Sequence, residues 1–400
     1  MKNYFIYFYS FAIISIFGFG QIRIPGFPFN IGQISYILLL INCVAIDKRA
    51  LGDIYLGLYA VFILFYFLSS VITGFEQIFF TILKRKLFTL IPLYWGTKIL
   101  ISRFKTVTPL LVPLIVLGIL DTFVTISQVY GLHFFDGLLD LLNVYNEEQA
   151  EMMERRDLTI GISMNGIYRS AVHNGHNLLL FFCMSLSLLK ERINIIRLLP
   201  TLIIFVGLFY CQQRSAFLFA VMALIIFFFI LMEKKMIKTH QLVFLFILIL
   251  FSIYADTSIM SDVFSESRLS EIKLSDRSHL FEDAITYVSQ HLLIGGIHHF
   301  TFIYGLPPHN TIISAFMAGG VIGGFILIHM MFLQFIYIYK NVHRLKSNLF
   351  YVFAITFIAL IGDSMFHNTG YVQGDEATFI IWALILKFYK FERNENNICK

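Results

Sequence analysis

Three arginines and one histidine are the side chains whose types and surroundings suggest chemistry in this sequence. Arg169 precedes one apolar stretch by a few residues, Arg214 stands at the start of another, and Arg277 opens an amphipathic segment. A guanidinium group stays charged and can bind a phosphate through two parallel hydrogen bonds. His309 lies next to Asn310 at the start of a third apolar stretch. An imidazole with an ordinary pKa of about 6.5 can accept the proton of a hydroxyl during its attack.

The composition indicates what kind of protein must position these residues. Of 400 residues, 58% are hydrophobic and only 14% are charged, whereas a soluble surface carries roughly 25–35% charged residues. The chain is therefore expected to be an all-α polytopic transmembrane helix bundle. At roughly 20 residues per helical span, it has room for about twelve spans. Nucleic-acid binding is not expected, because the sequence has no basic stripe on a soluble face.

Apolar runs bounded by charged or turn residues predict the spans. They lie near 4–20, 31–46, 51–73, 87–102, 107–127, 174–190, 193–211, 215–232, 241–255, 310–338, 349–367 and 376–391. The first run lacks a small-residue cleavage site and is interpreted as a span rather than a signal peptide. The segment 75–83 is too short to cross and is expected to be re-entrant or interfacial.

This pattern divides the chain into five regions: N-terminal transmembrane helices over 1–127, a first loop over 128–173, central helices over 174–255, a second loop over 256–309, and C-terminal helices with a tail over 310–400. Basic residues occupy every short loop on one side, so both termini are predicted to be cytoplasmic and the two long loops to face the periplasm. The cluster Lys84–Lys86 does not fit this orientation; it either contacts lipid phosphate or shows that the fourth span is misplaced.

With this orientation, Arg169, Arg214, Arg277 and His309 fall at one outer membrane face. A single arginine there can be an anchor whose charged end extends to the membrane surface, and Asn310 can be an ordinary N-cap with His309 exposed beside it. Three arginines at one level near a histidine favour a diphosphate site, because ionisable residues at a membrane are costly. Both interpretations stay open at this point.

The second long loop has the most organised pattern. Apolar residues recur every four positions and predict an amphipathic helix over 277–293; they are Leu280, Ala284, Val288 and Leu292. Gly295 and Gly296 are expected to end this helix. The glycines of the following span are expected to let it pack closely on another helix; they are Gly319, Gly320, Gly323 and Gly324.

No metal or cofactor is expected from the remaining polar residues. The histidines show no metal-binding spacing, and the four cysteines, at 43, 183, 211 and 399, form no disulfide framework or thiolate site. Asp121 and Asp363 lie within predicted spans, where each can line a cavity, cap a helix or pair within the bundle.

In their order and spacing, these segments resemble the O-antigen polymerase and O-antigen ligase superfamily of bacterial integral-membrane glycosyltransferases. The matching pieces are Gln213-Arg214-Ser215-Ala216 at a span start, Asp276-Arg277 opening a loop helix, Gly295-Gly296 closing it, and His309-Asn310 before a glycine-rich span. The resemblance covers about 160–330, and the rest of the chain only through hydropathy.

The resemblance implies a GT-C-like, metal-independent glycosyltransferase of the inner membrane, which polymerises undecaprenyl-diphosphate-linked repeat units into O-antigen or a related polysaccharide. By position, Arg214 and Arg277 would hold the diphosphate together with Arg169, and His309, supported by Asn310, would be the base. No cofactor is implied. The partners implied are the lipid-linked glycan donor and acceptor and membrane lipid, with a chain-length regulator left open.

Two other functions remain open. An O-antigen ligase, which transfers the finished chain to lipid A core, is poorly separated from a polymerase by sequence. A lipid-linked oligosaccharide flippase belongs to another class; it is expected to show repeat symmetry, which the two halves of this chain lack.

Overall fold

The computed structural model describes residues 2–20, 22, 30–47, 53–85, 89–142, 164–168, 170–189, 194–234, 274–305, 307–308, 310–345, 347–367, 372 and 375–398. Over these residues the regular structure is helical, and the predicted all-α class is confirmed for them. The α-helices are α1 Lys2–Ile14, α2 Ile31–Ile46, α3 Ile54–Ile72, α4 Glu76–Arg85, α5 Ile91–Ser102, α6 Thr108–Val129, α7 Asp136–Leu141, α8 Ala171–Ser185, α9 Ile195–Cys211, α10 Arg214–Glu233, α11 Leu274–Gln290, α12 Ile297–Tyr304, α13 Thr311–Leu345, α14 Asn348–Ser364 and α15 Glu376–Ile398.

Five helical segments of the described chain are long and apolar enough to cross a membrane. They are Ile54–Ile72, Thr108–Val129, Ala171–Leu189, Arg214–Glu233 and Thr311–Val342. Shorter apolar helices cover Tyr4–Phe19, Ile31–Ile46, Ile196–Cys211 and Asn348–Ser364. Each predicted span coincides with a helix except 241–255, which lies outside the described residues.

The helices form two compact units. One comprises Met1–Leu114 and His279–Lys400, and the other comprises Ile115–Ser278. In the first unit, α13 packs along α3, and α5 packs against α2 and α15. Gly319 and Gly323 lie at this contact, where a methyl group added at either would be in ordinary van der Waals contact, 3.5 Å from the nearest atom of Phe65 or Phe62. The glycine-rich span packs along another helix as predicted, but these two glycines are not what allows the approach.

A buried ion pair lies beside the start of α3. Asp53 caps this helix by accepting the backbone N–H of Tyr55 at 3.0 Å. Its other oxygen accepts from Lys98 Nζ at 2.8 Å and from the Tyr94 hydroxyl at 2.9 Å. The side chains of Lys98 and Asp53 are only 9% and 7% exposed. A pair this deeply enclosed is stable only while both partners are present.

In the second unit, α8 packs against α9 and α10. Three glycines make the close approaches: Gly118 faces Phe181, Gly207 faces Thr122, and Gly175 faces Gln213. At each of them an added methyl group would come within 3.0 Å of the neighbouring side chain. This unit therefore depends on small residues where its helices cross.

Two helices outside the main spans differ from their predicted bounds. The segment near 75–83, predicted to be re-entrant or interfacial, is α4, in which Phe79 is buried while Ile78 and Phe80 are exposed. The predicted helix 277–293 is α11, and it ends at Gln290, before the two glycines expected to end it. It ends there because Gly295 and Ile294 donate their backbone N–H groups to the His291 carbonyl and close a turn.

Candidate functional site

The structure describes the surroundings of the predicted site residues to different extents. Arg214 is the first residue of α10, and its side chain is exposed. Arg277 lies in the first turn of α11. Arg169 and His309 lie outside the described residues, although the chain on both sides of each is described. The convergence of all four residues on one diphosphate site stays a prediction.

The segment just before Arg169 is held by side chains of α6. Gln128 brackets Gly166, because its Nε2 donates to the Gly166 carbonyl at 3.0 Å and its Oε1 accepts the Gly166 N–H at 2.9 Å. Asp121 Oδ1 accepts the backbone N–H of Ile167 at 2.9 Å. Asp121, for which the sequence left three roles open, thus binds a loop backbone two residues before Arg169.

The same segment is also bound to the end of α9, close to Arg214. The backbone N–H of Met164 donates to the Cys211 carbonyl at 3.3 Å, and the Cys211 thiol contacts the Met164 carbonyl at 3.5 Å. Cys211 precedes Arg214 by three residues, with a left-handed turn at Gln212 between them. The chain leading to Arg169 and the chain leading to Arg214 are therefore hydrogen-bonded neighbours within one unit.

Arg214 lies at the start of α10, where the first backbone N–H groups of a helix favour an anion. The N-cap residue Gln213 accepts no hydrogen bond from these N–H groups through its side chain. Gly175 of α8 packs directly on Gln213, so the beginning of α8 lies beside the beginning of α10. A cationic side chain and a helix N-terminus thus occur together next to the segment that contains Arg169.

In the other unit, Asn310 caps α13 and also binds a second helix. Its Oδ1 accepts the backbone N–H groups of Ile312 and Ile313 at 2.9 and 3.1 Å. Its Nδ2 donates to the Met365 carbonyl, just beyond the end of α14, at 3.2 Å. The N-cap interpretation of Asn310 is confirmed, and its amide group also joins the two helices.

The residues that flank His309 on both sides are hydrogen-bonded. Before it, the Pro308 carbonyl accepts from Ser314 Oγ at 3.1 Å. After it, Asn310 makes its cap bonds, and Thr311 Oγ1 donates to the Ser364 carbonyl at 3.0 Å. His309 therefore stands between two anchored positions at the entrance of a long helix.

Gly320 has a role that its spacing did not predict. The helical dihedral angles of α13 are interrupted at Gly319 and Gly320, and Gly320 has φ 61° and ψ −165°. The turn before Gly295 crosses this break and bonds to it: Val321 N–H donates to the Leu292 carbonyl at 2.7 Å, and Gly296 N–H donates to the Met317 carbonyl at 2.5 Å. These two hydrogen bonds attach the end of the second long loop to α13 where the two glycine pairs meet.

A group of three histidines and two tyrosines was missed from the sequence. The histidines follow α11, whereas the tyrosines lie in α3 and α11. His298 Nε2 lies 2.9 Å from the Tyr66 hydroxyl, and His299 Nδ1 lies 2.8 Å from the Tyr287 hydroxyl. The ring of His291 stacks on Tyr287 at 4.1 Å. The adjacent pair His298-His299, one residue beyond Gly295-Gly296, was the available signal. Burial raises the pKa of Tyr287, so its phenol stays neutral in this contact.

No protein-family model matches this sequence, and no curated protein matches it.

Proposed function

We propose that this protein is a membrane glycosyltransferase that polymerises undecaprenyl-diphosphate-linked oligosaccharide repeat units into O-antigen or a related surface polysaccharide. In this proposal the chain crosses the inner membrane about twelve times in a GT-C-like arrangement, with both termini in the cytoplasm. The arginines and His309 then face the periplasm, where lipid-linked repeat units are available for assembly.

The observation that carries the proposal is the bond between Met164 and Cys211. It joins the segments that lead to Arg169 and Arg214, two of the three arginines assigned to the diphosphate. Two ligands of one diphosphate must lie close together, and this bond joins the segments that lead to them. Separate surface anchors would not need to be neighbours. The start of α10 adds a helix N-terminus to the same place, and its N–H groups and the guanidinium groups attract the same anion.

The chemistry proposed for His309 is general-base catalysis. A hydroxyl of the acceptor sugar attacks the anomeric carbon of the donor glycan and loses its proton to the imidazole. The bond between that carbon and the diphosphate oxygen breaks, and undecaprenyl diphosphate leaves with the bonding electrons. Base catalysis of this kind is typically worth about 10²–10⁴-fold. Guanidinium groups held by the fold stabilise the charge on the leaving diphosphate.

The arrangement around His309 supports this role. A catalytic base must be held close to its productive geometry, and both neighbours of His309 are anchored, through Pro308 to Ser314 and through Asn310 to Met365. The two backbone hydrogen bonds at the glycine pairs hold the preceding loop against the same helix. An exposed surface histidine would need neither support.

A deletion strain complemented with single variants tests the proposal. Complementation with the wild-type gene restores a ladder of polymer lengths, whereas His309→Ala and Arg277→Ala leave only the product with one repeat unit. Arg103→Ala is the matched control, since Arg103 is exposed at the end of α5 and is assigned to the cytoplasmic side; it should preserve the ladder. Normal polymer length in either site variant overturns the assignment.

The deletion phenotype also separates the alternatives. Loss of all attached glycan with lipid-linked chains intact would indicate a ligase. Repeat units accumulating on the cytoplasmic side would indicate a flippase. Loss of the ladder with the one-unit product retained is the result that the polymerase proposal requires.

A further inference from the structure

Three buried side-chain oxygen atoms in the unit Ile115–Ser278 have no hydrogen-bond partner among the described residues. One is Oγ1 of Thr201. The other two, Oδ2 of Asp121 and Oδ1 of Asn174, belong to two residues that both lie against Gly166. Both residues are fully enclosed, with 0% of their surface exposed. A polar atom that leaves water without gaining a new hydrogen bond costs free energy. This pair of acceptors therefore calls for a donor.

The orientation of the Asn174 amide is determined by its neighbours. Its Nδ2 donates to the Met164 carbonyl at 2.8 Å and to Thr125 Oγ1 at 3.2 Å. Because a carbonyl can only accept, exchanging the amide nitrogen and oxygen would bring two acceptors together at Met164. Asn174 Oδ1 is therefore an acceptor, and its donor must come from another group.

Asp121 lies against the same glycine as Asn174. A methyl group added at Gly166 would lie 2.7 Å from both the oxygen and the nitrogen of the Asn174 amide, and it would overlap Asp121 Oδ1. Asp121 Oδ1 already accepts the N–H of Ile167, which leaves Oδ2 for a different contact. An ionised carboxylate has only acceptors to offer, whereas a protonated one has an O–H donor.

We propose that Asp121 is a protonated carboxylic acid whose Oδ2–H donates to Asn174 Oδ1, and that this neutral pair positions the segment leading to Arg169. One proton satisfies both buried oxygens and removes the cost of an enclosed charge. The pair joins α6, α8 and the segment Met164–Tyr168 in one hydrogen-bonded network. The protonation stands on its own geometry, whereas the positioning role rests on the proposed function, in which Arg169 binds diphosphate.

Infrared difference spectroscopy of the purified protein tests the protonation directly. The C=O stretch of a protonated carboxylic acid is separate from the stretches of a carboxylate, and the band of Asp121 should disappear in Asp121→Asn at neutral pH. A difference spectrum that shows the loss of carboxylate bands instead would overturn the proposal. Spectra recorded with and without sodium ions test whether a bound cation, rather than a proton, lies between the two oxygens. A carboxylate band that depends on sodium would also refute the protonation of Asp121.

Hydrogen exchange of the peptide containing Met164–Tyr168 tests the positioning role. Asparagine in place of Asp121 can still accept from Ile167 and donate to Asn174, so Asp121→Asn should keep wild-type protection, and Asp121→Ala should lose it. Thr122→Val is the matched control on the same helix, because the hydrogen bond that the Thr122 hydroxyl makes among the described residues stays within α6, to Gly118; it should leave protection unchanged. Equal protection in the Asn and Ala variants would refute the role.

Polymer formation separates this inference from the proposed function. If both hold, Asp121→Asn supports the wild-type ladder and Asp121→Ala loses it. If the wild-type protein makes no polymer while the infrared band and the protection pattern are as expected, the proposed function is wrong and the protonation of Asp121 is still supported. If Asp121→Ala does not fold, the infrared band and the behaviour of Asp121→Asn still decide the matter. A folded Asp121→Asn protein without protection contradicts the inference.

Discussion

Substitution of Gly320 by alanine should destabilise the protein strongly. Both the backbone conformation at Gly320 and its close approach to Leu293 require a residue without a side chain. Its φ of 61° and ψ of −165° lie in a region that is essentially restricted to glycine and that costs other residues about 1–3 kcal/mol. A methyl group there would also overlap the Leu293 carbonyl. The clash would push the turn before Gly295 away from α13.

The expected size of this effect follows from the bonds at the crossing. Moving the turn would weaken the two backbone hydrogen bonds, Val321 to Leu292 and Gly296 to Met317, each worth about 0.5–1.5 kcal/mol. Together with the backbone strain, the loss is about 2–6 kcal/mol. Gly323→Ala is the control, since its methyl group would meet its nearest atom at 3.5 Å. In a helix interior this change gains about 0.5–1 kcal/mol.

Thermal unfolding of the detergent-purified variants, followed by intrinsic fluorescence, measures the difference. Gly320→Ala should unfold at a clearly lower temperature than the wild type, and Gly323→Ala at the same or a higher temperature. The reasoning fails if Gly320→Ala is as stable as Gly323→Ala, because the crossing would then tolerate a side chain.

Three further predictions use the same unfolding measurement. Asn310→Ala should destabilise the start of α13 by about 1 kcal/mol through loss of the cap and also loses the bond to Met365, whereas Asn310→Ser loses that bond but keeps a cap acceptor and should cost less; equal losses would contradict the cap. Asp53→Ala leaves Lys98 buried without its carboxylate and should cost about 3–5 kcal/mol. The double variant with Lys98→Met should recover part of this loss, because Lys387 Nζ, 3.8 Å from the same Asp53 oxygen, loses that carboxylate in both variants. Because burial raises the pKa of Tyr287 in the folded state, the stability that its buried neutral phenol contributes should be complete below pH of about 10 and be lost as the pH rises further. Tyr287→Phe should remove that alkaline loss, and an unchanged profile would contradict it.

Local signals predicted the helices well. Long apolar runs have few other ways to satisfy their backbone groups in a membrane, so the predicted spans and the described helices coincide. The cap at Asn310 was also visible, because a cap bonds to the residues that directly follow it. The end of α11 was not visible, since the glycines that were expected to end it instead lie where the following turn crosses α13.

Contacts between distant residues could not be predicted from one sequence. Tyr66 and His298 are 232 positions apart, and the donor to Asp121 comes from a loop 46 positions away. The sequence shows that such residues are polar within apolar surroundings, which marks them as needing partners. It does not show which partner the fold supplies, because that depends on how the helices pack.

The most direct test of the central claim is reconstitution of the purified protein with a defined undecaprenyl-diphosphate-linked repeat unit. The account predicts products of increasing length with release of undecaprenyl diphosphate, in the presence of a metal chelator, and no products from folded His309→Ala. A substrate left unchanged by the folded wild-type protein, or polymer formed by His309→Ala, would contradict it.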